Sequence, residues 1–247
     1  VGKYAGLQDS YLSLKEALKH GGIAHGLRVN ICWIESEDLE KGKLDEVLGD
    51  KDGILVPGGF GVRGIEGKIR AVTYARENKV PFFGICLGMQ CATIEFARNI
   101  AGLEGANSTE FDGHTLHRIF FLWRELSPEH DIGGTMRLGE YVCQLEKKSF
   151  AYKAYRKTLI LERHRHRYEF NPAYKDKLAR AGLSFTGHNP KLNLVEIIEI
   201  KDHPWFLGCQ FHPEFKSKPV SPHPLFKAFI GASHAYRLQR HKSRRDR

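Results

Sequence analysis

The sequence predicts an α/β fold: an open, largely parallel central sheet flanked by helices, with additional C-terminal strands. Three observations predict it. Short β-rich runs alternate with amphipathic helical stretches along the chain. The glycine-rich stretch PGGFGVRG follows directly on an apolar strand pattern. Pro81–Ile85 reads as a short buried strand that runs without a break into helical spacing at Leu87, Cys91 and Ile94.

Taken in order, residues 10–20 (SYLSLKEALKH) carry apolar positions at helical spacing, and Gly21-Gly22 supplies a stop. Residues 28–34 (RVNICWI) and 53–56 (GILV) read as strands. Ile65, Ile69 and Val72 fall at i, i+4 and i+7, which predicts a helix over 65–77. After the 81–85 strand and its helix, the stretch 101–155 is less regular, with loops and short strands. Strands are expected again near 159–168, 183–187, 193–200 and 206–211, with a helix from Pro172 to Ala181 between the first two. No repeat and no Pro/Ser-rich linker divides the chain, so residues 1–236 are expected to form one domain. The sequence opens Val1-Gly2-Lys3-Tyr4, which reads as the end of a first strand in a longer polypeptide.

Composition narrows the class. Apolar residues make up 41% of the 247 and charged residues 27%, an ordinary globular balance. No apolar run reaches the roughly 20 residues of a membrane span, and no secretory leader pattern is present. The five cysteines, Cys32, Cys86, Cys91, Cys143 and Cys209, are odd in number, scattered and without a C-x-x-C pair. That argues against a disulfide framework or a zinc knuckle and favours a reducing cytoplasm. The net charge of +9 invites a nucleic-acid reading, but five of those charges sit in the last eleven residues, where six basic side chains stand against Asp246. Residues 237–247 are therefore expected to be a basic, frayed tail, and neither nucleic acid nor membrane is expected as a partner.

Chemistry concentrates in three places. Gly84-Ile85-Cys86-Leu87-Gly88 is the G-x-nucleophile-x-G pattern of a nucleophile elbow with cysteine in place of serine. Small flanking residues let a strand turn sharply into a helix, which pushes the sulfur out at a helix N-terminus, where the dipole favours thiolate. A buried structural cysteine in a tight turn is the competing reading. Phe211-His212-Pro213-Glu214-Phe215 supplies a base and an acid to orient it. If that segment stays extended, alternate side chains share a face and Glu214 reaches back to His212. A surface His/Glu pair is the bland alternative. The PGGFG loop should lie at the same sheet edge as Cys86, where open α/β sheets bind ligands, and the N–H groups of Gly59 and Leu87 are the candidate oxyanion donors. It matches neither of the phosphate-binding glycine patterns.

These residues, in this order, resemble the class I (triad-type) glutamine amidotransferases. The longer blocks PGGFGVRGIEGKI, GICLGMQ, NSTEFD, GGTMRLG, ERHRHRYE and CQFHPEF are similar to the glutaminase domain of the CTP synthase family, over nearly the whole chain. PGG, G-x-C-x-G and HPE alone would fit the wider class, including a GMP synthetase or anthranilate synthase subunit; STEF and RHRHRYE disfavour those. The chain departs from the family in the loop Gly113–Arg118, usually proline-bearing, and in the FFLWRE that follows it.

The resemblance implies a Cys86, His212 and Glu214 triad that splits L-glutamine into glutamate and ammonia. It implies a glutamine site lined by Gly59, Leu87, Gly88, Met89 and Gln90, with Glu110 and Arg167 holding the ends of the amino acid. A guanidinium grips a carboxylate in bidentate fashion, which supports Arg167 independently. Alternation along a strand would put Arg163, Arg165 and Arg167 on one face and His164 and His166 on the other; no metal site is expected there. Arg63 resembles a position tied to activation by GTP. The domain itself needs no cofactor. ATP and Mg belong to a synthetase domain, N-terminal in the family, that aminates UTP to CTP; no G-x-x-x-x-G-K-[ST] motif for that step occurs in this sequence. The full-length family enzyme is a homo-oligomer by the same resemblance. A docking domain that keeps the fold without turnover is the reading of a different class, and the intact triad argues against it.

Overall fold

The computed structural model describes residues 1–3, 6, 8–122 and 136–245. A short 3-10 turn, Gln8–Tyr11, leads into α1 (Leu12–Ile23). The helix does not stop at Gly21-Gly22 as the sequence suggests. A Cβ on Gly21 would come within 2.9 Å of the Phe226 carbonyl oxygen, and one on Gly22 within 2.7 Å of that of Leu27. These glycines serve close packing, so the helix runs through them.

Residues 28–34, expected as a strand, run with no ladder partner among the described residues. They line a cavity of about 700 Å³ with Val1, Leu14, Leu55 and Phe229. A strand exists only when its N–H and C=O groups meet a neighbour's, and among the described residues no such neighbour stands across this cavity; apolar alternation could not reveal that. Nearby, an isolated parallel bridge joins Gly2 to Glu35.

Two short helices the periodicity did not resolve follow, α2 (Asp38–Lys41) and α3 (Leu44–Leu48). Then come β1 (Ile54–Val56), α4 (Ile65–Glu77), β2 (Phe82–Ile85) and α5 (Leu87–Asn99), each close to its expected span. The irregular middle holds β3 (Asn107–Ser108), β4 (Arg118–Leu122), the nine-residue β5 (Arg137–Leu145) and α6 (Phe150–Tyr155). The FFLWRE segment lies partly outside the described residues. The expected 159–168 strand breaks at Arg167 into β6 (Leu159–His166) and β7 (Tyr168–Phe170). After α7 (Lys175–Arg180) come β8 (Leu183–Asn189), β9 (Leu194–Ile200), β10 (Phe206–Cys209) and α8 (Pro224–Arg245). Residues from Arg237 to Arg245 continue α8, where Arg237 and Arg240 approach Asp52 at 3.5 Å each.

Among the described residues, seven strands form the main sheet in the order β1-β2-β10-β9-β8-β5-β6, and β3-β4-β7 form a small second sheet. The parallel part is β1, β2 and β10; from β9 onward every neighbour is antiparallel. Both faces are covered. One core packs α4 and α5 on the sheet through residues such as Ile69, Val72, Met89 and Phe206; the other packs α1 and α8 through Leu14, Phe83, Trp205 and Phe226. Phe83 meets Trp205 and Phe226 edge-on at 5.5 and 5.3 Å, contacts worth about 0.5–1.5 kcal/mol each beyond their buried area. The parallel register sets Gly208 beside Gly84 and Cys209 beside Ile85. The chain leaving β10 therefore emerges next to Cys86.

Candidate active site

Local sterics fix the position of Cys86. A Cβ on Gly84 would lie 2.7 Å from the Gly88 carbonyl carbon, and one on Gly88 only 2.0 Å from the Val56 carbonyl oxygen. Neither flank of the turn can carry a side chain, which is why glycine stands at both. The turn forces Cys86 to φ 50° and ψ −104°, a conformation non-glycine residues rarely adopt, held here by the surrounding structure. Its N–H donates to the Cys209 carbonyl at 2.7 Å, and its carbonyl accepts from Gln90 N–H at 3.1 Å, the first turn of α5. The sulfur thus sits at the positive end of a thirteen-residue helix.

The segment after β10 brings three side chains to it. The Gln210 Nε2 lies 3.6 Å from the Cys86 Sγ, and its Oε1 accepts from Gln90 Nε2 at 3.4 Å. His212 is anchored by its N–H, which donates to the Arg163 carbonyl at 2.8 Å. Its Nδ1 meets Glu214 Oε1 at 2.7 Å, and its ring stacks on Phe215. Glu214 does reach His212, but not along an extended segment: Pro213–Lys216 form a 3-10 turn that folds the carboxylate back. Proline at its first position favours that turn.

Burial works against charge on His212. The charge of the Cys86 sulfur, and after it the Glu214 carboxylate, overcome that and push the ring up to about 10. Nε2 has no hydrogen bond of good geometry, so Cys86 acts on the ring mainly through charge. The cysteine, the histidine and the acid are thus one electrostatic unit, with a cation favoured on the imidazole beside the sulfur.

The glycine loop closes over this pair. A Cβ on Gly58 would lie 2.7 Å from His212 Cε1 and 3.6 Å from Cys86 Cβ, and one on Gly59 would lie 3.1 Å from Leu87 Cδ2. Gly59 and Leu87, the expected oxyanion donors, are therefore neighbours. Lys3, which sequence reasoning did not single out, anchors the loop by donating to the carbonyls of Phe60 and, at 2.6 Å, Gly61. From the other side Gly61 N–H donates to Glu110 Oε1 at 2.7 Å. Burial raises Glu110, while Lys3 and Arg167 pull the other way, so the two residues expected to hold a zwitterion feel each other's charge. Arg167 is exposed, and Gln90 is buried with its Oε1 unpartnered. Met89 packs in the core, so it has only its backbone to offer a ligand. Arg63 is half exposed and bonds Glu37 Oε2 at 2.7 Å and the Lys3 carbonyl at 2.8 Å.

Behind the site lies a buried charge network. Arg137 donates to Glu169 at 3.0 Å and Glu196 at 2.7 Å; Glu196 also meets His164 Nε2 at 2.7 Å, and His166 Nδ1 lies 3.4 Å from Glu169. The expected alternation holds, with Arg163 and Arg165 exposed and His164 and His166 buried. Burial, together with the charge of Glu196, raises Glu169 to about 8 against the pull of Arg137, and burial holds His166 well below its usual range. The network backs the Gln210–His212 segment: the Glu196 carbonyl accepts from Gln210 N–H at 2.8 Å, and His164 packs edge-on against Phe211. Among the described residues no group could hold a metal ion, and no helix is long and apolar enough to cross a membrane.

Comparison with known proteins places the chain in a family. The family model described as "Glutamine amidotransferase class-I" matches residues 6–232. A CTP synthase of Koribacter versatilis is 59% identical over 244 residues, covering 97% of this chain and 44% of that protein. One from Acidobacterium capsulatum is 60% identical over 242 residues, covering 98% and 43%. Among solved structures, the Trypanosoma brucei CTPS glutaminase domain with bound acivicin matches with a TM-score of 0.88 and 39% identity, over 95% of this chain and 92% of that one. The chain spans under half the length of the curated relatives it matches.

Proposed function

The chain belongs to the class I glutamine amidotransferase family, and we propose that it is the glutaminase domain of a CTP synthase, with Cys86 as its nucleophile. The observation that carries this reading is the convergence of Cys86, at a strained strand-to-helix turn, with the hydrogen-bonded His212 and Glu214 beside the glycine loop.

In this reading the Cys86 thiolate attacks the side-chain amide carbon of L-glutamine. Gly59 and Leu87 N–H groups receive the developing oxyanion. As the C–N bond breaks, the imidazolium of His212 gives its proton to the departing nitrogen and ammonia leaves a glutamyl thioester. Neutral His212 then takes a proton from water, the resulting hydroxide attacks the thioester, and the C–S bond breaks to release glutamate and restore the thiolate. Glu214 fixes the ring through Nδ1 and stabilises its cationic form. Glu110 binds the ammonium end of the substrate and Arg167 its carboxylate. Gly88 and Met89 contribute backbone, and the unpartnered Oε1 of Gln90 is an acceptor left for a substrate N–H.

The ammonia is passed to a synthetase domain that uses ATP and Mg to aminate UTP, in a cytoplasmic homo-oligomer. Arg63, which ties the glycine loop to Glu37 and Lys3, is the residue through which GTP binding would be felt by the loop. Residues 1–236 are the working unit.

The test is glutamate release from glutamine by this chain beside Cys86→Ala, with and without GTP. The reading expects release that disappears in the variant. Equal release by both proteins would remove Cys86 from the chemistry.

A further inference from the structure

Resting on the glutaminase reading, we infer that Gln210 is a further catalytic residue, whose carboxamide N–H holds the Cys86 sulfur in its thiolate form. Gln210 is completely buried, and its Nε2 is 3.6 Å from Sγ. A buried carboxamide costs free energy unless its donors find acceptors. A thiol is a weak acceptor; a thiolate is a strong one. The position therefore favours a charged sulfur over a neutral one.

In the structure Gln90 Nε2 donates to Gln210 Oε1 at 3.4 Å, and the other end of the Gln210 amide, Nε2, faces the sulfur. The backbone is fixed, because Gln210 N–H donates to the Glu196 carbonyl. Three influences then converge on one atom: the N-terminus of α5, the cationic ring of His212 and the Gln210 donor. The last differs from the other two. It carries no net charge and stays in place when His212 gives up its proton. It thus also assists the second half of the reaction, in which the C–S bond breaks and the sulfur departs with the electron pair.

This role has a kinetic signature that packing alone does not. Removing a donor to a thiolate lowers the thiolate fraction but makes each remaining thiolate more nucleophilic. The rate should fall at low pH and match or exceed wild type at high pH. A residue that only packs would lower it at every pH.

The experiment measures alkylation of Cys86 by iodoacetamide against pH, with the Cys86 peptide quantified by mass spectrometry and glutathione as reference thiol. Gln210→Met keeps the shape and removes the donor; Gln210→Glu is the second variant should the first not fold. The expected result is an acid limb displaced upward, with labelling about tenfold slower near pH 6 and rates that converge or cross by pH 10. On the wild-type protein, which needs no variant, the Gln210 side-chain amide resonance should shift with the same midpoint as the labelling. An unmoved acid limb, a uniform loss at all pH values, or a wild-type resonance that ignores the titration would overturn the inference. The glutaminase reading fails separately: there wild-type Cys86 would react no faster than glutathione near pH 6.

Discussion

Replacing Gly58 by alanine should disable the site through a single contact. The backbone there does not require glycine, since Gly58 is not among the glycines with positive φ. The consequence is therefore steric. The added Cβ would stand 2.7 Å from His212 Cε1, about 0.7 Å inside ordinary van der Waals contact at roughly 3.4 Å. The ring cannot simply swing aside, because Nδ1 is bound to Glu214 at 2.7 Å and its face is stacked on Phe215. Either the histidine or the loop must give by several tenths of an ångström. A 1 Å misplacement costs about 100-fold in rate, so glutamate release should fall by about 30- to 100-fold. Overpacking should cost stability about 1–3 kcal/mol. The assay is steady-state glutamate release with thermal unfolding in parallel. Gly59→Ala is the internal control: its nearest contact is the flexible Leu87 Cδ2 at 3.1 Å, and the loss should be several-fold at most. Full activity in Gly58→Ala, or a greater loss in Gly59→Ala, would refute the placement of the loop over the histidine.

Other consequences can be checked with the same protein. Glu214→Gln removes a charged hydrogen bond worth about 1.5–3 kcal/mol, so glutamate release should drop by about 10- to 150-fold, and the His212 ring, followed by NMR, should titrate lower than in wild type. A ring that titrates unchanged would show that Glu214 does not support its charge. Arg167→Met should raise KM for glutamine by about tenfold or more while leaving iodoacetamide labelling of Cys86 unchanged; a purely kcat effect would contradict its binding role. Glu169 is held protonated up to about 8, so between about pH 4.5 and 8 the folded state keeps a proton the unfolded state has lost. Its contribution is fully present below that window and declines as pH rises through it. The Tm of Glu169→Gln relative to wild type should accordingly improve as pH rises from 4.5 to 8, and a difference that is flat or falls would contradict the raised carboxyl. Burial pushes Cys91 up to about 12 and Cys143 and Cys209 also upward, so native-state alkylation should be confined to Cys86 and the exposed Cys32.

What could be read in the sequence was whatever depends on near neighbours. The elbow was legible because its G-x-C-x-G pattern lies within one strand, one turn and one helix; the clash that excludes a side chain at Gly84 is equally local, whereas the one at Gly88 comes from Val56 of β1. The spans of α4 and α5 were legible because their apolar positions recur at helical spacing. The contact between His212 and Glu214 was expected, but by the wrong path, since a proline-led turn replaced an extended segment. Residues 28–34 have a strand's composition and no partner, and pairing is a property of two segments. The same reason hid the Arg137 network: Arg137 meets His166 through the antiparallel register of β5 and β6, and Glu169 and Glu196 arrive from β7 and β9. Gln210 did leave a trace, a polar residue ending the otherwise apolar run FLGC. Only the parallel pairing of β10 with β2 shows that it faces Cys86. Gly21-Gly22 read as a stop because the contacts these glycines serve lie outside the helix: Gly21 admits α8 from far along the chain, and Gly22 admits the Leu27 carbonyl.

The most direct test of the central claim is covalent labelling of this chain by acivicin, the compound bound in the structurally similar T. brucei domain. The adduct would be mapped by peptide mass spectrometry, with glutamine as competitor. A single adduct on Cys86, slowed by glutamine and absent in Cys86→Ala, is the predicted result. No adduct on Cys86, or labelling of Cys32 that glutamine does not slow, would contradict it.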